Sequence, residues 1–117
     1  MAISIKRVYD APSPDDGYRV LVDRLWPRGL TKERAAAAVW LRDIGPSTEL
    51  RKWYGHDVAR WPEFRERYRA ELASGGAPLE ELRAIASEHD MVTLLFGAKD
   101  EEHNQAVVLA ELLTEAR

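Results

Sequence analysis

Three short stretches of this chain set residues capable of chemistry at close spacing. In Leu21-Val22-Asp23-Arg24-Leu25-Trp26-Pro27-Arg28-Gly29, an acid and a base stand side by side at the end of an apolar run. Successive side chains of a strand point to opposite faces, so Asp23 and Arg24 cannot both leave a covered sheet. At least one is drawn inward and needs a partner. Two uses follow. The guanidinium of Arg24 or Arg28 holds an anion in its fork, with Trp26 beside it, or an internal ion pair pins the Trp-Pro turn.

The second stretch is Trp53-Tyr54-Gly55-His56-Asp57. His56 stands just past a glycine turn, where an imidazole can act as acid or base near neutral pH or cap carbonyls at a helix end. Trp53 and Tyr54 are either a stacking wall for a ring or core residues at helical spacing. The third is Lys99, Asp100, His103 and Asn104, around a strand-to-helix turn. A phosphate there would meet three acids, Asp100, Glu101 and Glu102, opposed only by Lys99, and Gly97 alone is no glycine-rich loop, so a P-loop is rejected. Either Asp100 caps the helix with His103 and Asn104 on its outer turn, or the latter two face a cleft as proton-transfer and hydrogen-bonding groups. The candidate proton-transfer or catalytic residues are thus His103, His56 and Asp23. The candidate ligand-binding residues are Arg24, Trp26, Arg28, Trp53, Tyr54, Lys99 and Asn104. A metal held by Asp23, His56, Asp100 and His103 is conceivable, but no histidines stand four apart and no His-Glu-x-x-His occurs, so no metal and no cofactor is expected. Nor does any Gly-x-Ser-x-Gly support a serine nucleophile.

The elements that must position these groups are readable from periodicity. Residues 3–9 and 18–25 read as strands separated by a loop of prolines, aspartates and a glycine. That connection is short for a parallel crossover, so a hairpin-like antiparallel pair is expected. Thr31 is a cap for a short helix through Lys32–Ala38, and 39–44 reads as a short strand. Ser47 caps a helix Thr48–Tyr54 that Gly55 closes. Trp61, Phe64, Tyr68 and Leu72 form the apolar stripe of the next helix. After a loop at 74–77, Pro78 opens a helix with Leu79, Leu82, Ile85 and Ala86 inward. The apolar run 91–96 is a central strand covered on both sides. A last helix over about 101–115 has Asp100 as its cap and Glu101 and Glu102 in its first turn. Strands alternating with helices make one α/β domain over 1–117 with a small mixed, mostly parallel sheet flanked by helices.

Length and composition bound the rest. The chain has 117 residues, 45% hydrophobic and 32% charged, with no cysteine. Disulfides, thiolate metal sites and cysteine nucleophiles are therefore excluded. No apolar run suits a signal peptide or a membrane span, so a cytoplasmic protein with no membrane partner is expected. The net charge of −3 is divided into +4 over residues 1–70 and −7 over 71–117. A basic face could draw an anionic ligand or nucleic acid, although an acidic protein makes a poor general DNA binder.

Leu21 to Gly29, Pro46-Ser47-Thr48-Glu49-Leu50-Arg51-Lys52-Trp53-Tyr54-Gly55-His56-Asp57 and Gly97-Ala98-Lys99-Asp100-Glu101-Glu102-His103-Asn104-Gln105-Ala106 together resemble the signature of the bacterial domain-of-unknown-function family 488, in its short YeaO-like branch. The resemblance spans nearly the whole chain and implies a single α/β domain with Rossmann-like layering. It brings no reaction with it. Relatives in the wider family resemble one another in a Cys-His-Arg triplet near the start of the last helix. Here His103 matches the histidine, while Glu102 and Asn104 stand in the other two places, so thiol chemistry does not carry over. What the resemblance implies is a shared cleft for Asp23, Arg24 and His103.

Three functions compete. The first is binding of, or action on, a nucleotide-like or phosphorylated anion. The second is a nucleic-acid-binding or regulatory module using Arg19, Arg28, Lys32, Arg34, Arg51, Lys52, Arg60, Arg65 and Arg67, with no helix-turn-helix pattern behind it. The third is a protein-interaction domain in which the polar cluster is structural.

Overall fold

A computed structural model describes residues 2–115. Four strands, β1 (Ala2–Arg7), β2 (Tyr18–Leu21), β3 (Val39–Trp40) and β4 (Met91–Phe96), form one sheet in the order β1-β4-β2-β3. Every pairing is parallel, with Ala2 to Arg7 opposite Met91 to Phe96, and Tyr18 to Leu21 opposite Val92 to Leu95. The antiparallel β1–β2 pair expected from the short connection is therefore corrected. β4 lies between the two, and the sheet contains no antiparallel strand among the described residues. The reason is a tie across β4. Pro14–Asp16 forms a 3₁₀ turn capped by Ser13, and the Asp16 carboxylate bonds Lys6 of β1 at 3.2 Å and the guanidinium of Arg19 of β2. The hydroxyl of Thr93, on β4 itself, donates to the Asp16 carbonyl at 2.7 Å. Burial pushes the Asp16 carboxyl up, but the Ser13 amide, Lys6 and Arg19 outweigh it and hold it below its usual range.

The apolar run that suggested a buried strand at 91–96 is β4, central and almost wholly buried. Its faces build two clusters. Val92, Leu94 and Phe96, with Val20 and Val22, pack under helices α2 (Thr48–Tyr54), α3 (Trp61–Gly75), α4 (Ala77–Glu88) and α5 (Gln105–Thr114). Leu95 and Leu21 face the other way, toward Val8, Leu30, Trp26, Trp40 and the short helix α1 (Lys32–Ala35). Arg19 is buried on that second face, with Nη2 and Nε donating to the carbonyls of Ala35 and Ala36 at 2.7 and 3.1 Å. These bonds hold Ala36 in the left-handed region, φ 48°, which ends α1 three residues before the expected Ala38.

Ser47 and Gly55 bound α2 as expected, the latter at φ 52°. The Phe64-Tyr68-Leu72 stripe is buried, and so are Leu79, Leu82 and Ala86. The expected 74–77 loop shrinks to Gly76 alone, because α3 runs to Gly75 and α4 starts at Ala77. The expected strand over 39–44 divides into the two-residue β3 and a 3₁₀ turn, Arg42–Ile44. The last helix starts at Gln105, not 101. Its cap is Asn104, and Asp100 closes a separate bend before it. Among the described residues no helix is long and apolar enough to cross a membrane.

Candidate functional site

Beyond the carboxyl ends of β2 and β4, where open parallel sheets receive ligands, two hollows of about 210 and 300 Å³ lie side by side. Both are lined by Pro46, Arg51, His56 and Gln105, so they form one cleft with a shared ridge. The smaller hollow has an apolar wall of Tyr54 and Phe64, with Lys52, His103 and Asn104 around it. The larger one is polar and open, with Asp23, Arg24, Trp26 and Arg28 on one side and Tyr9 and Gly97 on the other.

Asp23 follows the buried end of β2. Its Oδ2 accepts the Gly97 amide at 2.9 Å, and Oδ1 accepts the Gln105 side-chain amide. A Cβ on Gly97 would stand 2.9 Å from that same Oδ2, so the missing side chain lets the carboxylate reach the turn. Burial pushes the Asp23 carboxyl up to about 6, against the lowering effects of Gly97, Gln105 and the Arg51 charge. β2 ends at Leu21, short of the expected 18–25, so Asp23 and Arg24 follow it in the turn, and Arg24 takes partners of its own. Its Nε donates to the Pro46 carbonyl at 2.9 Å and its Nη2 to the Gly45 carbonyl at 2.7 Å. The two neighbours thus make no ion pair with each other. Both are half-buried, and each is partnered separately.

Trp26 is half-buried, with Nε1 donating to the Leu30 carbonyl at 2.6 Å and its ring edge-on to Trp40 at 5.3 Å. Arg28 is exposed at the rim, and its carbonyl accepts the Tyr9 hydroxyl at 2.8 Å. His56, at φ 57°, is an exposed member of the shared ridge. His103 lines the smaller hollow. Its Nδ1 lies 2.9 Å from Asp100 Oδ2, its ring stands edge-on to Trp61, and its carbonyl accepts the Tyr54 hydroxyl at 3.0 Å. The Glu102 and His103 amides hold Asp100 below its usual range. Asn104 is 3% exposed and fully committed to the helix start, accepting from the Ala106 and Val107 amides and donating to the Asp100 carbonyl.

The cleft therefore gathers Asp23, Arg24, Trp26, Arg28, Tyr54, His56, His103 and Asn104. Trp53 and Lys99 are not part of it. Trp53 lies under the guanidinium groups of Arg60 and Arg67, on the α2–α3 side of the molecule. Lys99 is exposed and lines neither hollow. Arg24 and His103 do not meet in one hollow but face the two halves of the cleft. Among the described residues no group of three His, Asp or Glu side chains is placed to hold a metal.

Several lining residues were not singled out as cleft residues from sequence, and Arg51 and Gln105 matter most to its chemistry. Arg51, three residues before Tyr54, shares its helix face, a signal that periodicity carries. Its Nε is buried without an acceptor among the described residues, and its Nη2 makes a 3.3 Å contact with the Thr48 hydroxyl. Gln105 is the first residue of α5 and touches Asp23 across 82 positions of sequence, for which no local signal exists.

A family model described as the inactive DUF488-N3 subclade matches residues 2–117. The chain is 48% identical over 113 residues to the uncharacterized protein YeaO of Escherichia coli K12, covering 97% of each. It is 42% identical over 111 residues to the uncharacterized proteins Mb3100c of Mycobacterium bovis and Rv3073c of Mycobacterium tuberculosis, covering 95% of this chain and 92% of theirs. No solved structure matches.

Proposed function

This chain belongs to the inactive DUF488-N3 subclade, and from that premise we propose that it retains a small phosphorylated or nucleotide-like anion without transforming it. The observation that carries this reading is Arg51. Its guanidinium is on the ridge common to both hollows, with one buried nitrogen that has no acceptor among the described residues. The Nη2 of the same group makes only a 3.3 Å contact with the Thr48 hydroxyl, so an oxyanion in the cleft would take a charge-assisted bond from the exposed end of the guanidinium. The charge around it agrees. Arg24, Arg28, Arg51 and Lys52 line the cleft against a single carboxylate, Asp23, in a protein whose net charge is −3. Tyr54 and Phe64 offer the apolar wall that a ring would use.

Retention is favoured over turnover by the subclade's description and by Glu102 and Asn104 flanking His103. Asn104 spends its amide on the helix start, and His103 is paired with Asp100. The nucleic-acid alternative is weakened because Arg19 is buried and Arg65 bonds Glu111 at 2.8 Å.

Calorimetric titration with sulfate, inorganic phosphate and nucleoside monophosphates tests the reading. Saturable binding is expected, and Arg51→Met should weaken it by about tenfold to a hundredfold, the value of a charge-assisted bond. Absence of saturation across the panel, or an unchanged affinity in the variant, overturns it.

A further inference from the structure

We propose that this cleft takes up its anion together with a proton, and that Asp23 is the group that receives it. The inference rests on the anion-binding reading above and adds how that binding is regulated. Asp23 is the one carboxylate among the described residues that lines either hollow. It cannot swing away, because the Gly97 amide and the Gln105 side chain hold its two oxygens from two different elements. An anion seated at Arg51 therefore shares the hollow with a fixed, half-buried negative charge, and like charges at close range favour protonation of one of them.

The surrounding charges point the same way. From α2 and the turn after it, Arg51 and His56 face the same hollow as Asp23. From the Trp26–Arg28 turn comes the exposed Arg28, and from beyond β1 comes the Tyr9 hydroxyl, already bound to the Arg28 carbonyl. The next residue in the chain, Arg24, is spent on the Gly45 and Pro46 carbonyls. α5 contributes the neutral Gln105, and the turn after β4 the Gly97 amide. Arg51 is thus the cation that lowers the Asp23 carboxyl, while burial raises it. An anion that engages Arg51 withdraws that support, and a solvent proton replaces it. The protonated Oδ1 becomes a donor, and the Gln105 amide turns to present its carbonyl oxygen. One hydrogen bond is exchanged for another of reversed sense, and the Gly97 contact stays in place.

The test uses the full chain and sulfate, which stays dianionic from pH 5.5 to 8. Titration in buffers of different ionisation heat counts the protons bound with the anion. Wild type is expected to take up about half a proton more than Asp23→Asn at pH 7. It should also tighten by about tenfold more than the variant between pH 8 and 5.5. The variant keeps His56 and His103, so their share cancels. Carboxyl-carbon NMR of the wild type needs no substitution, and the Asp23 titration should move to higher pH when sulfate is present. Sulfate binding with equal proton uptake in both proteins, or an Asp23 titration that sulfate leaves in place, overturns the proton linkage while leaving the anion site intact. If sulfate, phosphate and nucleoside monophosphates all fail to bind at any pH, the anion site falls and the linkage with it.

Discussion

Asn104 is the residue on which the last helix and one wall of the cleft both depend, and replacing it by alanine exposes the balance of forces. Its Oδ1 accepts the Ala106 and Val107 amides at 2.9 and 3.2 Å, and its Nδ2 donates to the Asp100 carbonyl at 2.8 Å. Losing a cap of this kind costs about 1–2 kcal/mol. Losing the third bond adds about 1 kcal/mol. Asn104→Ala should thus lower stability by about 2–3 kcal/mol, which for a domain of this size is a fall in Tm of roughly 10 °C. Asn104→Asp keeps both acceptors and places a negative charge at the helix start, so it should lie between wild type and alanine. Asp100→Ala makes the decisive comparison. Its carboxylate also accepts two amides, those of Glu102 and His103, but it does so near the surface, where water can take over. Urea unfolding of the three variants ranks them. A loss at Asn104→Ala below about 0.5 kcal/mol, the scatter of ordinary surface substitutions, or a larger loss at Asp100 than at Asn104, would show that Asp100 is the working cap and that this account of the helix start is mistaken.

Burial holds the Asp23 carboxyl at about 6 in the fold, against 3.8 for the unfolded chain, so its stabilising proton is present below pH 4 and lost as pH rises through 6. At pH 8 Asp23→Asn should be more stable than wild type by about 3 kcal/mol, a gap that closes toward pH 4; urea midpoints that run parallel over this range would contradict it. Arg19→Met leaves the Asp16 carboxylate with Lys6 and strips donors from the Ala35 and Ala36 carbonyls, at a cost of about 3 kcal/mol or more. A neutral result in the same assay would mean that the tie across β4 is dispensable. Gly17, at φ 64°, has no room for a Cβ, which would stand 2.3 Å from the Met91 carbonyl oxygen, so Gly17→Ala should lower Tm by at least 4 °C, about 1 kcal/mol at this size; an unchanged Tm would refute it.

What the sequence discloses follows the range of the interactions involved. α2 is legible to the residue because Ser47 and Gly55 act on their own backbone neighbours. β4 is legible because burial on both faces leaves a continuous apolar run. The parallel pairing of β1 and β2 about β4 is not legible, since it rests on Asp16 reaching Lys6 and Arg19, and on Thr93 across 77 positions. The start of α5 is misread because two capping side chains, Asp100 and Asn104, stand four residues apart, and burial of the second decides between them. At the cleft, Asp23, Arg24, Trp26, Arg28, Tyr54, His56, His103 and Asn104, suspected from residue type, each line one or both hollows. Residue type cannot tell that Trp53 and Tyr54, one helical step apart, face different sides, or that Lys99 points to solvent.

The position of β4 also governs when the protein can fold during its own synthesis. Ala2 pairs with Met91 and Tyr18 with Val92, so neither early strand finds its main neighbour until most of the chain has been made. A nascent chain halted at about residue 85 would hold β2 and β3 but lack the strand that joins them to β1. Contacts of such sequence separation slow folding and make it concerted. Emergence of β4 from the ribosome, rather than gradual growth from β1 onward, is then the event that commits this domain to its structure.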